Sequence, residues 1–355
     1  MRFTFAKSTL IYALVIVIAL FISGLITYQK FALAEQIGMS IGYDKSFGYE
    51  YGITDEAIIL HVDEIKYLTW SIFREGSIDR IFKLDSVVNL NLWGIIVSSI
   101  YFILGSWKLM FLLGLFGYML YVHSTIRLVK HFCYQRYHVF LITFFVLSPV
   151  AINLSSGFMR DLIIYSIVSY SLVNLDKRLW GRFIICVILI FLLRSFYLFI
   201  LIPLYIYLFS KNLRTSLLIF FLQLPLGYQI VNSNRFGSGD ASEVFFRLLE
   251  LMTGASKVFY YLPNQNILSS NFFEYLSAYY FLISLILFAL LVLDRGARLS
   301  KTYFIIICVG LLLCMFYGLT LGFFVARTKF IFTIILLVFT VYDSDSRMRG
   351  LNEVK

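Results

Sequence analysis

Charged side chains are almost absent from eleven long stretches of this sequence, and that absence constrains the fold more than any motif. The stretches are 10–28, 91–105, 108–126, 138–155, 161–176, 182–193, 196–210, 215–231, 272–293, 302–322 and 328–342. Each lies between charged positions and is apolar through its centre. A helix needs roughly 20 apolar residues to cross a bilayer, with a lower bound of about 17. Long uncharged runs of this kind read as spanning helices. The expected fold class is therefore all-α, a polytopic integral membrane protein with one transmembrane domain over 1–355.

Composition closes off the other classes. Of 355 residues, 60% are hydrophobic and 14% charged, whereas soluble domains are about half apolar and roughly a quarter charged. So few charges cannot cover the surface of one soluble core. A soluble enzyme, a nucleic-acid-binding domain and a disulfide-stapled secreted module are excluded on that ground. The net charge of +10 then reads as cytoplasmic loops rich in Lys and Arg, and no nucleic-acid partner is expected. Cys186, Cys308 and Cys314 fall inside apolar runs and Cys133 in a basic loop. That spacing supports neither a disulfide framework nor a zinc site.

Eleven crossings would leave the C-terminus and the basic loop Arg127, Lys130, Arg136 outside, against the positive-inside bias. One stretch must therefore not cross. Residues 91–105, about 15 long, fall below the spanning length and are expected in the outer interface. Ten spans remain, with both termini cytoplasmic. The first run has no small-residue cleavage site after it and is expected to stay as an anchor. Stretches 182–193 and 196–210 are kept as separate spans, because Lys211 and Arg214 then fall inside. With this topology the cytoplasmic segments hold sixteen basic and five acidic residues. The first outer loop, 29–107, reverses the balance with ten carboxylates against six bases. A second outer loop covers 232–271.

The same topology places Arg160, Arg194 and Arg327 at the outer ends of spans. An arginine in apolar sequence is costly unless it pairs, lines a wet cavity or snorkels. Any one of them alone reads equally as part of a site or as a bland charge, snorkelling to outer head groups or paired as Arg160 with Asp161. Three on one face favour a shared anionic site, since the planar guanidinium fork suits phosphate and pyrophosphate. In the first outer loop, Ile58, Val62, Ile65, Thr69 and Ile72 recur at helical spacing, which predicts an amphipathic interfacial helix over 54–75. Asp63 and Glu64 sit in its middle, near His61 and Tyr67. Taken alone they are the solvated face of that helix; beside a membrane-facing cavity, one could act as general base toward a sugar hydroxyl. In the second outer loop, Gly237-Ser238-Gly239 reads as a turn, because no strand or Lys-Ser/Thr context makes it a phosphate loop.

Three stretches together resemble a known group. They are Asp63-Glu64-x-x-Tyr67 followed by Asn91-Leu92-Trp93; Leu147-Ser148-Pro149 through Ser155-Ser156-Gly157-Phe158-Met159-Arg160-Asp161; and Leu193-Arg194-Ser195-Phe196-Tyr197 with Gly322-x-x-x-x-Arg327. In that order they are similar to the GT-C class of polytopic glycosyltransferases and to the related O-antigen and exopolysaccharide repeat-unit polymerases (Wzy-like, EpsG-like). Two departures stand out. No soluble domain is expected after the last span, unlike many lipid-monosaccharide-dependent transferases, and the acidic motif is not a clean Asp-Asp or Glu-x-Asp metal signature.

The resemblance implies a GT-C-like fold in the bacterial cytoplasmic (inner) membrane with its active face outward. It implies transfer of glycan from an undecaprenyl pyrophosphate carrier to a hydroxyl, and it makes the undecaprenyl-linked glycan and the lipid bilayer the partners, with a chain-length regulator and a flippase as protein partners. In that setting Arg160, Arg194 and Arg327 would bind phosphate, Asp63 or Glu64 would act as base, and Asp161 would orient Arg160. No cofactor is expected, and a divalent metal stays open. Two rivals remain: a GT-C transferase using a polyprenyl-phosphate monosaccharide, and a lipid-linked oligosaccharide flippase. A transporter should carry charges deep within several spans; these spans have almost none at their centres, and the unusual charges collect at their outer ends.

Overall fold

A computed structural model describes residues 2–36, 92–233, 270–294, 301–313 and 326–342. Those residues form eleven α-helices, two short 3-10 turns and no strand beyond an isolated bridge between Cys133 and Tyr342. In chain order the helices are α1 (Arg2–Gln36), α2 (Leu92–Leu104), α3 (Phe111–Phe132), α4 (His138–Val146), α5 (Pro149–Ser155), α6 (Asp161–Asp176), α7 (Trp180–Ser210), α8 (Leu213–Ser233), α9 (Ser270–Asp294), α10 (Lys301–Leu313) and α11 (Ala326–Thr340). The protein is all-helical over this range, and its helices are those of a membrane protein. Thr9–Ala32 and Lys108–Phe132 are each long and apolar enough to cross a bilayer, and the bent pair Gln135–Val146 with Pro149–Ser155 makes a third if taken as one span. By length, the described helices thus supply two or three of the ten expected spans.

Large apolar side chains facing outward follow from that environment. On α1, Leu10, Leu14, Val17 and Phe21 are exposed, while Tyr12, Val15, Ala19 and Ile26 are buried. These sets lie on opposite faces at helical spacing. The exposed set suits lipid, which solvates it as well as a core would.

Contacts fix the helix directions. Along α3 and α6, Gly117 faces Leu162 and Ile163, His123 meets Tyr170, and His131 reaches Asp176. The two helices therefore run parallel. Phe330 of α11 touches Tyr121 of α3 and Phe339 touches Phe132, so α11 shares this direction. Helix α1 runs the other way, with Lys130 over Tyr12 near its start and Lys30 over Phe111 near its end. At the centre the Phe330 ring meets Tyr121, Tyr165 and Tyr280 at centroid distances of 5.8, 5.4 and 5.9 Å. That hub joins α3, α6, α9 and α11.

Helix α7 is a hairpin. Arg194 leaves helical geometry (φ −165°, ψ 81°). Trp180 and Phe209, which a straight helix would hold about 43 Å apart, stack edge to face at 5.4 Å. Phe183 and Tyr205 do the same one turn further in. The stretches 182–193 and 196–210 are thus separate antiparallel limbs, with Arg194 at the tip. Each limb rises only about 21–24 Å.

Every break in these helices frees a carbonyl, and in a dry interior each must find a donor. Pro149 has no N–H for Phe145, and α4 and α5 meet there at 47°. The Tyr121 and Tyr118 hydroxyls donate to the Phe145 and Val146 carbonyls at 3.1 and 2.8 Å. Pro203 likewise denies Phe199 its donor, and Gln223 of α8 supplies one at 2.9 Å. At the hairpin tip the Leu193 carbonyl accepts from Arg160 at 2.9 Å.

Residues 54–75, with Asp63 and Glu64, and 234–269 of the second outer loop lie outside the described residues. The short stretch 91–105 forms α2, ended by Gly105 at φ +67°, a left-handed cap that glycine adopts without strain. Its buried face of Trp93, Val97 and Tyr101 packs inward.

Candidate functional site

The turn between α5 and α6 gathers the unusual charges at one end of the bundle. Ser148 caps α5, its hydroxyl accepting from the Ala151 N–H, with Pro149 in the first turn where a missing N–H costs nothing. The chain then turns through Ser156-Gly157-Phe158-Met159-Arg160 into α6. The turn is held from three sides. Lys30 of α1 donates to the Ser156 carbonyl and the Trp93 indole to the Phe158 carbonyl, both at 2.9 Å. On the third side, a Cβ on Gly114 would stand 1.7 Å from the Gly157 oxygen and 2.6 Å from the Ser155 oxygen. Only glycine permits α3 to approach so closely.

Here the hairpin tip of α7 docks. Arg194 donates to Asp161 at 2.7 Å, with both side chains buried, and its guanidinium lies 5.6 Å from the Tyr197 ring centre. Arg160 reaches the other way, to the Leu193 carbonyl. Residues 160–161 and 193–194 are thus cross-linked by two reciprocal bonds. Among the described residues, Arg160 and the Arg194–Asp161 pair meet at the N-terminus of a 16-residue helix, where the peptide dipoles favour negative charge. Among the described residues, the bond to Leu193 uses one of the five donors of Arg160, and the side chain is half-buried.

Of the six residues expected at a site, the structure brings three together: Arg160, Asp161 and Arg194. The ion pair of Asp161 is with Arg194, not with the adjacent Arg160 that it was expected to orient. The backbone of Arg327 opens α11, one turn before Phe330; its side chain, like Asp63 and Glu64, lies outside the described residues. Lys30 and Trp93, which hold the turn, carry no signal in sequence beyond their places near the ends of apolar runs. Lys329, inside the last apolar run, likewise carries no signal in sequence. It is 2% exposed, with Nζ 5.9 Å from the Phe281 ring centre.

The opposite end of the bundle carries a separate charged set. Asp176 accepts from His131 at 3.0 Å and from Lys211 at 2.8 Å, so one carboxylate ties α3, α6 and the base of the hairpin. Arg136 pairs with Asp294 at 2.8 Å. Asp161 and Asp176, at the two ends of α6, are about 22 Å apart by helical rise.

No protein-family model, curated protein or solved structure matches this chain.

Proposed function

We propose that this chain is a surface-polysaccharide repeat-unit polymerase of the bacterial inner membrane, transferring glycan from an undecaprenyl pyrophosphate carrier at the outer face. The proposal includes ten spans, cytoplasmic termini and a GT-C-like arrangement. The observation that carries it is the convergence of Arg160 and Arg194, 34 positions apart in sequence, on the start of one helix, where Arg194 pairs with Asp161 and Arg160 bonds the Leu193 carbonyl. Departure of the lipid pyrophosphate develops negative charge, and fixed cations beside it stabilise that charge without reorganising. Arg160 is the phosphate ligand; Asp161 holds Arg194, and Arg194 fixes the hairpin tip that presents Leu193 to Arg160. Arg327 is the third cation, and Asp63 or Glu64 takes the proton from the acceptor hydroxyl.

The test is the surface polysaccharide of a strain lacking the gene, resolved on a gel. A polymerase is supported by collapse of the ladder to core plus a single repeat, whereas loss of every repeat-bearing band identifies a flippase or unit-assembly step. Complementation with Arg160→Ala, present in the membrane at the normal level, should lower polymer by about 10²–10³-fold, the usual cost of a lost transition-state donor. A full ladder from that variant sinks the site assignment.

A further inference from the structure

A second polar cluster lies on the outer surface of α3 and α6, towards the Asp176 end and away from the proposed active site. His123 and Arg127 are one turn apart on α3. The Nδ1 of His123 hydrogen-bonds the Tyr170 hydroxyl, and the Arg127 guanidinium lies 5.6 Å from the centre of the Tyr170 ring. Cys186 on the first limb of α7 is within electrostatic reach of both Arg127 and Tyr170. Arg182, one turn before Cys186, is exposed.

The surface around this cluster changes character along the helix axis. Leu112, Phe116 and Met119 lie on the same face of α3 as His123, and all three are exposed. On α7, Ile184, Ile185 and Ile188 are exposed. The outward surface is thus apolar for about three turns, then meets His123, Tyr170 and Arg127, and beyond them the exposed Lys130, Lys177 and Arg178. The two carboxylates described at this end are already engaged, Asp176 by His131 and Lys211 and Asp294 by Arg136. The patch therefore keeps its positive charge.

We propose that the His123–Arg127–Tyr170 cluster binds the phosphate head group of an anionic phospholipid, whose acyl chains lie along Met119, Phe116 and Leu112. An acyl chain ending in a phosphate matches an apolar strip ending in a basic cluster, and basic pockets between membrane helices bind such head groups. Stacking on Tyr170 pre-orients the Arg127 fork, so little side-chain freedom is lost on binding. With Nδ1 engaged, Nε2 of the exposed His123 ring is available as a further partner. This inference is independent of the proposed catalytic function.

The full chain, purified in detergent and stripped of lipid, is titrated with phosphatidylglycerol or with phosphatidylcholine of the same acyl chains, and bound lipid is counted by native mass spectrometry. Phosphatidylglycerol should bind about tenfold tighter, because both lipids offer a phosphate but the choline cation of phosphatidylcholine opposes Arg127 and its basic neighbours. Arg127→Gln should remove that preference. Arg127→Lys, which keeps the charge without the fork, should retain part of it. Arg136→Gln, at the same end but paired to Asp294, should leave it unchanged. Equal binding of the two lipids overturns the proposal, as does an unaltered preference in Arg127→Gln. Loss of preference in Arg136→Gln would reduce the effect to diffuse charge and overturn it too. Displacement of the lipid by millimolar inorganic phosphate would make this a site for a soluble anion, also against the proposal.

Discussion

Asp161 follows Arg160 in sequence but pairs with Arg194. Consecutive positions on a helix point about 100° apart, so neighbours do not face each other, and the adjacency of Arg160 and Asp161 says nothing about pairing. That these three residues stand at the ends of apolar runs was legible in the sequence. Their partners were not, because the bond from Asp161 to Arg194 spans 33 positions and depends on where the hairpin tip docks. Lys329 shows the same limit: nothing in its place near the start of the last apolar run tells that Phe281 of α9 packs against it. Breaking a buried ion pair strands the remaining charge, which costs about 3–5 kcal/mol. Asp161→Ala and Arg194→Ala should therefore each lower the unfolding temperature in detergent, and the double variant should lose clearly less than the sum of the two. Additive losses would mean that the 2.7 Å contact contributes nothing to stability.

At the scale of the element, the hairpin was easier to read than the breaks and what heals them. Arg194 between two apolar runs marks the hairpin in sequence, whereas Pro149 and Pro203 fall inside 138–155 and 196–210, each expected as one span. The donors that satisfy the freed carbonyls come from other helices: Tyr118 and Tyr121, Gln223, and Arg160. A tyrosine or glutamine in an apolar run gives no hint of which carbonyl it serves. The Gln223 case can be isolated. Gln223→Leu leaves the Phe199 carbonyl without this donor and should cost about 1–3 kcal/mol. Pro203→Ala restores an N–H at the position that serves Phe199 in a regular helix. In the Pro203→Ala background, Gln223→Leu should then cost far less, measured as the shift in unfolding temperature between matched pairs. An equal cost in both backgrounds would show that Gln223 contributes by packing and not through this bond.

For the whole molecule, the absence of charge within the runs was enough to predict helices and a membrane, and the parity of the runs to separate the two limbs of α7. The number of full-length crossings was not legible, because an apolar run sets composition without setting the length of helix that forms: the limbs of α7 have 14 and 16 residues where a span needs about 20. The charged ends nonetheless define a polarity that can be tested directly. Asp176 bonds Lys211, so the turn at 177–179 and the turn at 211–212 belong to one end. Lys108 bonds Glu35 at 2.5 Å, and the chain from Leu104 to Lys108 belongs to the other, with Lys30 and the Ser156 turn. Single cysteines at Arg178, Asn212 and Leu104, placed in a background whose four native cysteines are serine, can be probed with a membrane-impermeant maleimide. Arg178→Cys and Asn212→Cys should label from the same side, and Leu104→Cys from the opposite one. The basic residues around the first two predict that their side is the cytoplasm. Labelling of 178 and 212 from opposite sides would require the two limbs to continue in one direction, which the 5.4 Å contact of Trp180 with Phe209 forbids; that result would break the hairpin, and with it the docking of Arg194 on Asp161.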